Sequence, residues 1–311
     1  MYIFSEEWRE GLKTKLESLK LTLSILFSSF SGLFGVIIVA IYIAIAIIVK
    51  TDPSLLGIHT NVNVLIAHPV SLAGPGGMGY PPSKQYPFGV IGTPYGLNLY
   101  TGVMKAIPVD IWLSIIIVVP GGAIGAVIGV LASYYGGWFD EILMRITDIF
   151  FSIPFLVLAI VASATIANST TTFVIILIII WWPIYARLVR SQAISIKELT
   201  FIEAARASGV KDLKIIFKHI LPNTTAPLFV QFSLDLASIM ILLSSLDFIG
   251  VRIIPPGLPE LGYLSAMGSQ VLVIGQWWGL IIPGFAILLF ALAMNMIGDA
   301  MRDALDPRLR R

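Results

Sequence analysis

The sequence predicts an all-α membrane protein with about six transmembrane helices. Three observations carry that prediction. Of the 311 residues, 57% are hydrophobic, giving a mean hydropathy of +0.90, and only 12% are charged. The apolar residues fall in long runs, and about 20 in a row are enough to cross a bilayer. A soluble domain carries about 25% charged residues. A chain of this length could bury a large core in water, but it would still need a charged surface, which this one lacks. Lipid is therefore its solvent.

The first run covers 25–49; its length and lack of a small-residue cleavage site predict a retained helix rather than a secretory signal. The others cover Asp110–Ala132, Ile149–Ala167, Thr172–Tyr185, Ala226–Leu246 and Gly279–Ile297. Basic residues orient them. With the N-terminus inside, sixteen Lys and Arg fall on inner segments and four on outer ones (Lys50, Lys84, Lys105 and Arg252). Both termini are therefore expected in the cytoplasm of a multi-pass plasma-membrane protein. The expected organisation is a cytoplasmic segment 1–24, a first helix 25–49 and an external loop 50–109. A five-helix core follows over 110–298, with a cytoplasmic loop at 186–225 and a cytoplasmic tail 299–311.

The external loop is rich in Gly and Pro, as in Gly74-Pro75-Gly76-Gly77, so turn chemistry dominates it. It reads as a structured cap or spacer, or as a dedicated binding site.

Within the spans, Gly121, Gly125 and Gly129 recur every four residues and predict close helix packing. Pro120, Pro154, Pro183 and Pro283 each remove a helical hydrogen bond and predict kinks. Asp235 lies mid-span, where a charge is costly unless it faces protein or water. It either lines a translocation path or pairs with a polar group on a neighbouring helix or subunit. Asn295 reads as a packing hydrogen bond. The pairs Trp181-Trp182 and Trp277-Trp278 read as residues of the interfacial aromatic belts.

Several chemistries are excluded. There is no cysteine, so no disulfide or thiolate site exists. His59, His68 and His219 have no metal-ligand partners at helical spacing. The glycine clusters at 74–79 and 89–96 lack the Lys-Ser/Thr that completes a phosphate-binding loop. No cofactor, metal or catalytic residue is expected, and a net charge of +2 gives no reason to expect nucleic acid.

The loop 186–225 is the most informative stretch. Good helix formers run from Glu198 to Ser208, and Gly209 is a natural stop. A second helix is expected from Asp212 to Ile220, with Pro222 ending it. Leu213, Ile216, Phe217 and Ile220 recur at i, i+3, i+4, i+7, beside Lys211, Lys214 and Lys218. This is a helical hairpin whose apolar stripe must pack on the bundle's own inner ends or on a separate protein.

Glu203-Ala204-Ala205, then Gly209, then Ile220-Leu221-Pro222 resembles the EAA loop of binding-protein-dependent ABC importer permeases. His219 stands where the general pattern has isoleucine. The His-Ile-Leu-Pro-Asn form is similar to the peptide-transporter branch. So are Tyr135–Glu141 with Arg145 and Asp148, Ile153-Pro154-Phe155, Trp182–Arg190 and Asn295–Arg308. The resemblance covers about 107–309 and points to the C-type subunit of dipeptide and oligopeptide transporters.

The resemblance implies a type I ABC importer permease fold. Its expected partners are a homologous second permease, two ATP-binding cassette ATPases that alone hydrolyse ATP, and an external solute-binding protein. It implies that Glu203, Ala204, Ala205, Gly209, Ile220, Leu221 and Pro222 couple the permease to the ATPases. Departures lie on the substrate side, at Gly92–Asn98 and Leu243–Gly250, so the cargo is left as peptides or oligosaccharides. An ion-coupled secondary transporter acting alone is the alternative. It calls for repeat symmetry and several intramembrane charges, whereas no repeat is visible and only Asp235 is central.

Overall fold

The protein is described by a computed structural model over residues 24, 26–58, 79–92, 96–166, 169–251 and 259–305. The expectations for Arg9, Lys13, Lys15, Lys20, His59, His68, Gly74–Gly77, Arg252 and Arg308–Arg311 lie outside the described residues.

Backbone in lipid must satisfy its own hydrogen bonds, so the apolar runs become helices. Helix α1 (Phe30–Thr51) starts at Ser29, whose hydroxyl accepts from Gly32 N. A 3-10 turn follows at Pro53–Leu56. Strands β1 (Val90–Ile91) and β2 (Leu97–Asn98) pair antiparallel, with Val90 opposite Asn98. Then come α2 (Leu99–Tyr135), α3 (Gly137–Phe151), α4 (Phe155–Thr165) and α5 (Thr170–Lys197). Helix α6 (Thr200–Ala207) and the short α7 (Asp212–Lys214) form the hairpin. A π-helical turn Ile215–Ile220 and a 3-10 turn Leu221–Thr224 lead into α8 (Thr225–Phe248). The last helices are α9 (Leu261–Val271) and α10 (Trp278–Leu305). Among the described residues, five helical runs are long and apolar enough to span a membrane, and the bent pair α3–α4 makes a sixth if it counts as one span.

Four expectations are corrected, and one is sharpened. Helix α2 begins at Leu99, inside the expected external loop, because the Asn98 side chain accepts from the free amides of Tyr100 and Thr101. The kink expected at Pro154 is a full break, with α3 and α4 meeting at 84°. Pro154 explains the break, since it has no N–H and disfavours helical backbone at Ile153. Helices α5 and α10 continue to Lys197 and Leu305, past the expected boundaries at 185 and 298, because polar residues prolong them beyond the apolar stretch. Helix α9 lies inside the expected outer loop 247–278; at 11 residues it is too short to register as a span. Pro222 does not end its helix. It falls at the start of a 3-10 turn, where its missing N–H costs little, and the chain stays helical into α8.

The glycine face of α2 packs on α5. A Cβ at Gly125 would lie 2.2 Å from the Trp182 carbonyl, and one at Gly129 would lie 2.3 Å from that of Ala186. Only glycine lets these backbones meet. One apolar core joins α2, α5 and α8 around Ile117, Leu177, Tyr185 and Ile239. A second joins α1, α2, α9 and α10 around Tyr42, Leu99, Met267 and Phe290. Across it the Tyr42 hydroxyl donates to the Ala286 carbonyl at 2.6 Å, clasping α1 to α10. The interfacial assignment fails for Trp181 and Trp182, which are only 5% and 8% exposed. Both pack inward, Trp182 against Phe150 and Trp181 against Phe155. Trp278 is also buried and donates to Val90 O, whereas Trp277 is exposed.

Candidate functional site

The hairpin is built around Gly209. Its φ of +73° is left-handed, a conformation that costs other residues about 1 kcal/mol or more. Val210 N–H bonds back to Ala205 O and Gly209 N–H to Arg206 O, the paired bonds that close a helix on a left-handed residue. A Cβ at Gly209 would meet nothing within 4 Å, so the requirement is for backbone shape rather than space.

The apolar stripe divides. Ile216 and Ile220 are buried, together with Ile202 and Ile215, in the core that also holds Val130, Val189 and Ala193. Leu213 and Phe217 stay 60% and 45% exposed. The π-helical turn explains why the 3.6-residue reading paired them wrongly: wider i→i+5 winding rotates side chains off the expected face. Ile215, outside the expected stripe, is turned inward by it. Among the motif residues, Ile220 is buried while Ala205 and Leu221 are half-buried against the bundle. Glu203, Ala204, Gly209 and Pro222 are exposed, beside exposed Leu199 and Phe201.

Polar contacts mount the hairpin on the bundle. Lys197 Nζ donates to Ser133 O at 2.7 Å, at the C-terminal end of α2 where helix carbonyls lack partners. The Tyr134 hydroxyl donates to Asp212 at 2.5 Å, and the Arg206 guanidinium lies 5.4 Å from the Tyr134 ring centre. Arg190 grips Asp140 with two nitrogens, each 2.5 Å from an oxygen. Arg187 pairs with Asp148, donates to Thr147 Oγ1 at 3.1 Å and covers the Phe151 ring. Sequence reasoning placed Asp140, Asp148, Arg187 and Arg190 in motifs but did not pair them. It missed Tyr134 altogether, because contacts across 78 residues leave no local pattern.

Asp235 is 3% exposed. It accepts from Trp181 Nε1 at 2.9 Å and from Gln231 Nε2 at 2.8 Å, joining α8 to α5. A cavity of about 530 Å³ opens between the end of α3, α4, α5 and α8, lined by Phe150, Phe155, Trp181, Ser238, Ile241 and Ser245 among others. Trp181 faces that cavity; Asp235 is not in its lining. Asn295 donates to Ala291 O of its own helix at 2.9 Å. At the far end from the hairpin, Asp110 is buried and accepts from Leu261 N at 2.9 Å, fastening the start of α9. That role has no local signature, since it depends on a helix, α9, that the apolar runs do not announce.

The profile of the family described as "binding-protein-dependent transport system inner membrane component" matches residues 121–311. This chain belongs to that family. The dipeptide transport system permease protein of Alkalihalophilus pseudofirmus is 33% identical over 99% of this chain and 92% of its own length. A putative peptide transport system permease protein of Brucella suis is 37% identical over 74% of this chain and 76% of its own. The glutathione transport system permease protein of Pectobacterium atrosepticum is 37% identical over 69% and 71%. Among solved structures, a chain of the MetNI methionine ABC transporter, in an inward-facing conformation, superposes with a TM-score of 0.51 at 21% identity. It covers 66% of this chain and 95% of that one, and it establishes the shared fold. The permease is thus a multi-pass inner-membrane subunit of a binding-protein-dependent ABC importer. It transports rather than catalyses, and it works with ATPase and binding-protein partners.

Proposed function

We propose that this permease forms half of a translocation path for peptides, paired with a homologous permease, two ATPase subunits and an external solute-binding protein. Its relatives named above carry peptides, dipeptides and glutathione, which supports peptides over the oligosaccharides that the sequence left open. Both termini and the 198–222 hairpin lie in the cytoplasm, as the basic residues suggest. The hairpin is the coupling element. Glu203, Ala204 and Gly209 meet the ATPase, Ala205, Ile220 and Leu221 seat the hairpin in the bundle, and Pro222 caps its return. Closure of the ATPases pulls on it and rocks the helices from inward-open to outward-open.

The observation that carries this reading is the division of the hairpin. One face is fixed in the core at Ile202, Ile216 and Ile220, and the other leaves Phe201, Leu213 and Phe217 exposed. Three large apolar side chains exposed on one short hairpin beside the Gly209 turn make a patch that suits a docking partner. Gly209→Val and Glu203→Arg should weaken co-purification of the ATPase subunits or uncouple hydrolysis from uptake, with membrane insertion intact. Wild-type co-purification and wild-type uptake in both variants would sink the proposal.

A further inference from the structure

We infer that Tyr134 is a positioning residue for coupling: it straps both arms of the hairpin to the end of α2, so that a displacement of the hairpin is passed to that helix. The inference rests on the coupling reading of the hairpin given above. Tyr134 is the next-to-last residue of α2 and contacts both sides of the Gly209 turn. Its hydroxyl donates to Asp212 at 2.5 Å, at the head of the second arm. Its ring lies under the guanidinium of Arg206, in the last turn of the first arm. Beside it, Ser133 O takes the Lys197 ammonium at 2.7 Å, just before the hairpin begins.

The last turn of α2 therefore receives the chain entering the hairpin, the first arm and the second arm. These contacts differ in kind from the buried isoleucines. Apolar packing resists separation but allows sliding. A charge-assisted hydrogen bond of 2.5 Å is directional and fixes register. Helix α2 then carries the motion along its length, because its glycine face locks it to α5.

The test uses the whole importer, reconstituted in proteoliposomes with its ATPases and a peptide-loaded binding protein. Tyr134→Phe removes the hydroxyl and keeps the ring. It should leave ATPase co-purification unchanged and lower uptake per ATP hydrolysed about tenfold, the scale of one hydrogen bond to a charged group. Asp212→Asn, which keeps an acceptor oxygen but loses the charge, should fall between wild type and Tyr134→Phe. Asp212→Leu should match Tyr134→Phe, and combining the two should cost no more than either alone. Wild-type uptake per ATP in Tyr134→Phe would overturn the inference, and so would a loss confined to yield or co-purification. If Gly209→Val and Glu203→Arg uncouple while Tyr134→Phe does not, only this inference fails. If those two variants are silent, the coupling reading falls first.

Discussion

Arg190 on α5 grips Asp140 on α3 through Nε and a terminal nitrogen, each 2.5 Å from a carboxylate oxygen. With side chains only 32% and 16% exposed, the pair is partly shielded from water. Arg190→Lys keeps the charge and loses the fork. It should lower the melting temperature of the purified permease, and Arg190→Ala should cost about 1–3 kcal/mol. Exchanging the partners, Asp140→Arg with Arg190→Asp, should recover part of the loss. Equal melting temperatures across the series would show that the pair does not hold α3 in place.

Gly125→Ala and Gly129→Ala each push a methyl group into a carbonyl of α5. Both should destabilise the fold by about 1–3 kcal/mol through overpacking. Gly284→Ala in α10 is the control: its added carbon meets nothing within 4 Å, and alanine favours helix. Thermal stability in detergent should fall for the first two and hold for the third. A reversed order would contradict the packing.

Asp235 joins α5 to α8 through Trp181. Asp235→Ala leaves the Trp181 indole N–H without its acceptor and should reduce the yield of assembled importer. Trp181→Phe combined with Asp235→Ala should cost less than the two single losses added together. Should Asp235→Ala assemble normally and alter only uptake, the carboxylate acts on the translocation path instead.

A cysteine introduced at exposed Lys214 should be shielded from an impermeant thiol reagent added outside intact cells and should react once the cells are opened. Background labelling is nil because the natural chain has no cysteine. Labelling of intact cells would invert the proposed topology.

What the sequence revealed depended on how far each signal travels. The spans were legible because about 20 apolar residues in lipid have few alternatives to a helix. The Gly209 turn was legible because left-handed backbone selects glycine locally. The α3–α4 bend was half legible: Pro154 announced a kink but not 84°. The outward turn of Phe217 was hidden, since a π-helical turn has no residue signature of its own. Tyr134–Asp212 and Asp110–Leu261 were hidden for another reason: each joins distant segments, and neither residue type announces its partner.

The clasp between Tyr42 and Ala286 joins residues 244 positions apart, near the two ends of the chain. During synthesis α1 is made well before α10 and can meet it only after the chain has grown by the 244 positions from Tyr42 to Ala286. At about 5–20 residues per second, it waits for roughly 10–50 s. A product lacking α10 would keep the contacts of α1 with α2 but leave the Tyr42 hydroxyl without the Ala286 carbonyl and the faces of Gly32 and Gly35 uncovered. The α1–α10 contact is thus of the slowest kind to form, closed only after the intervening helices have been made.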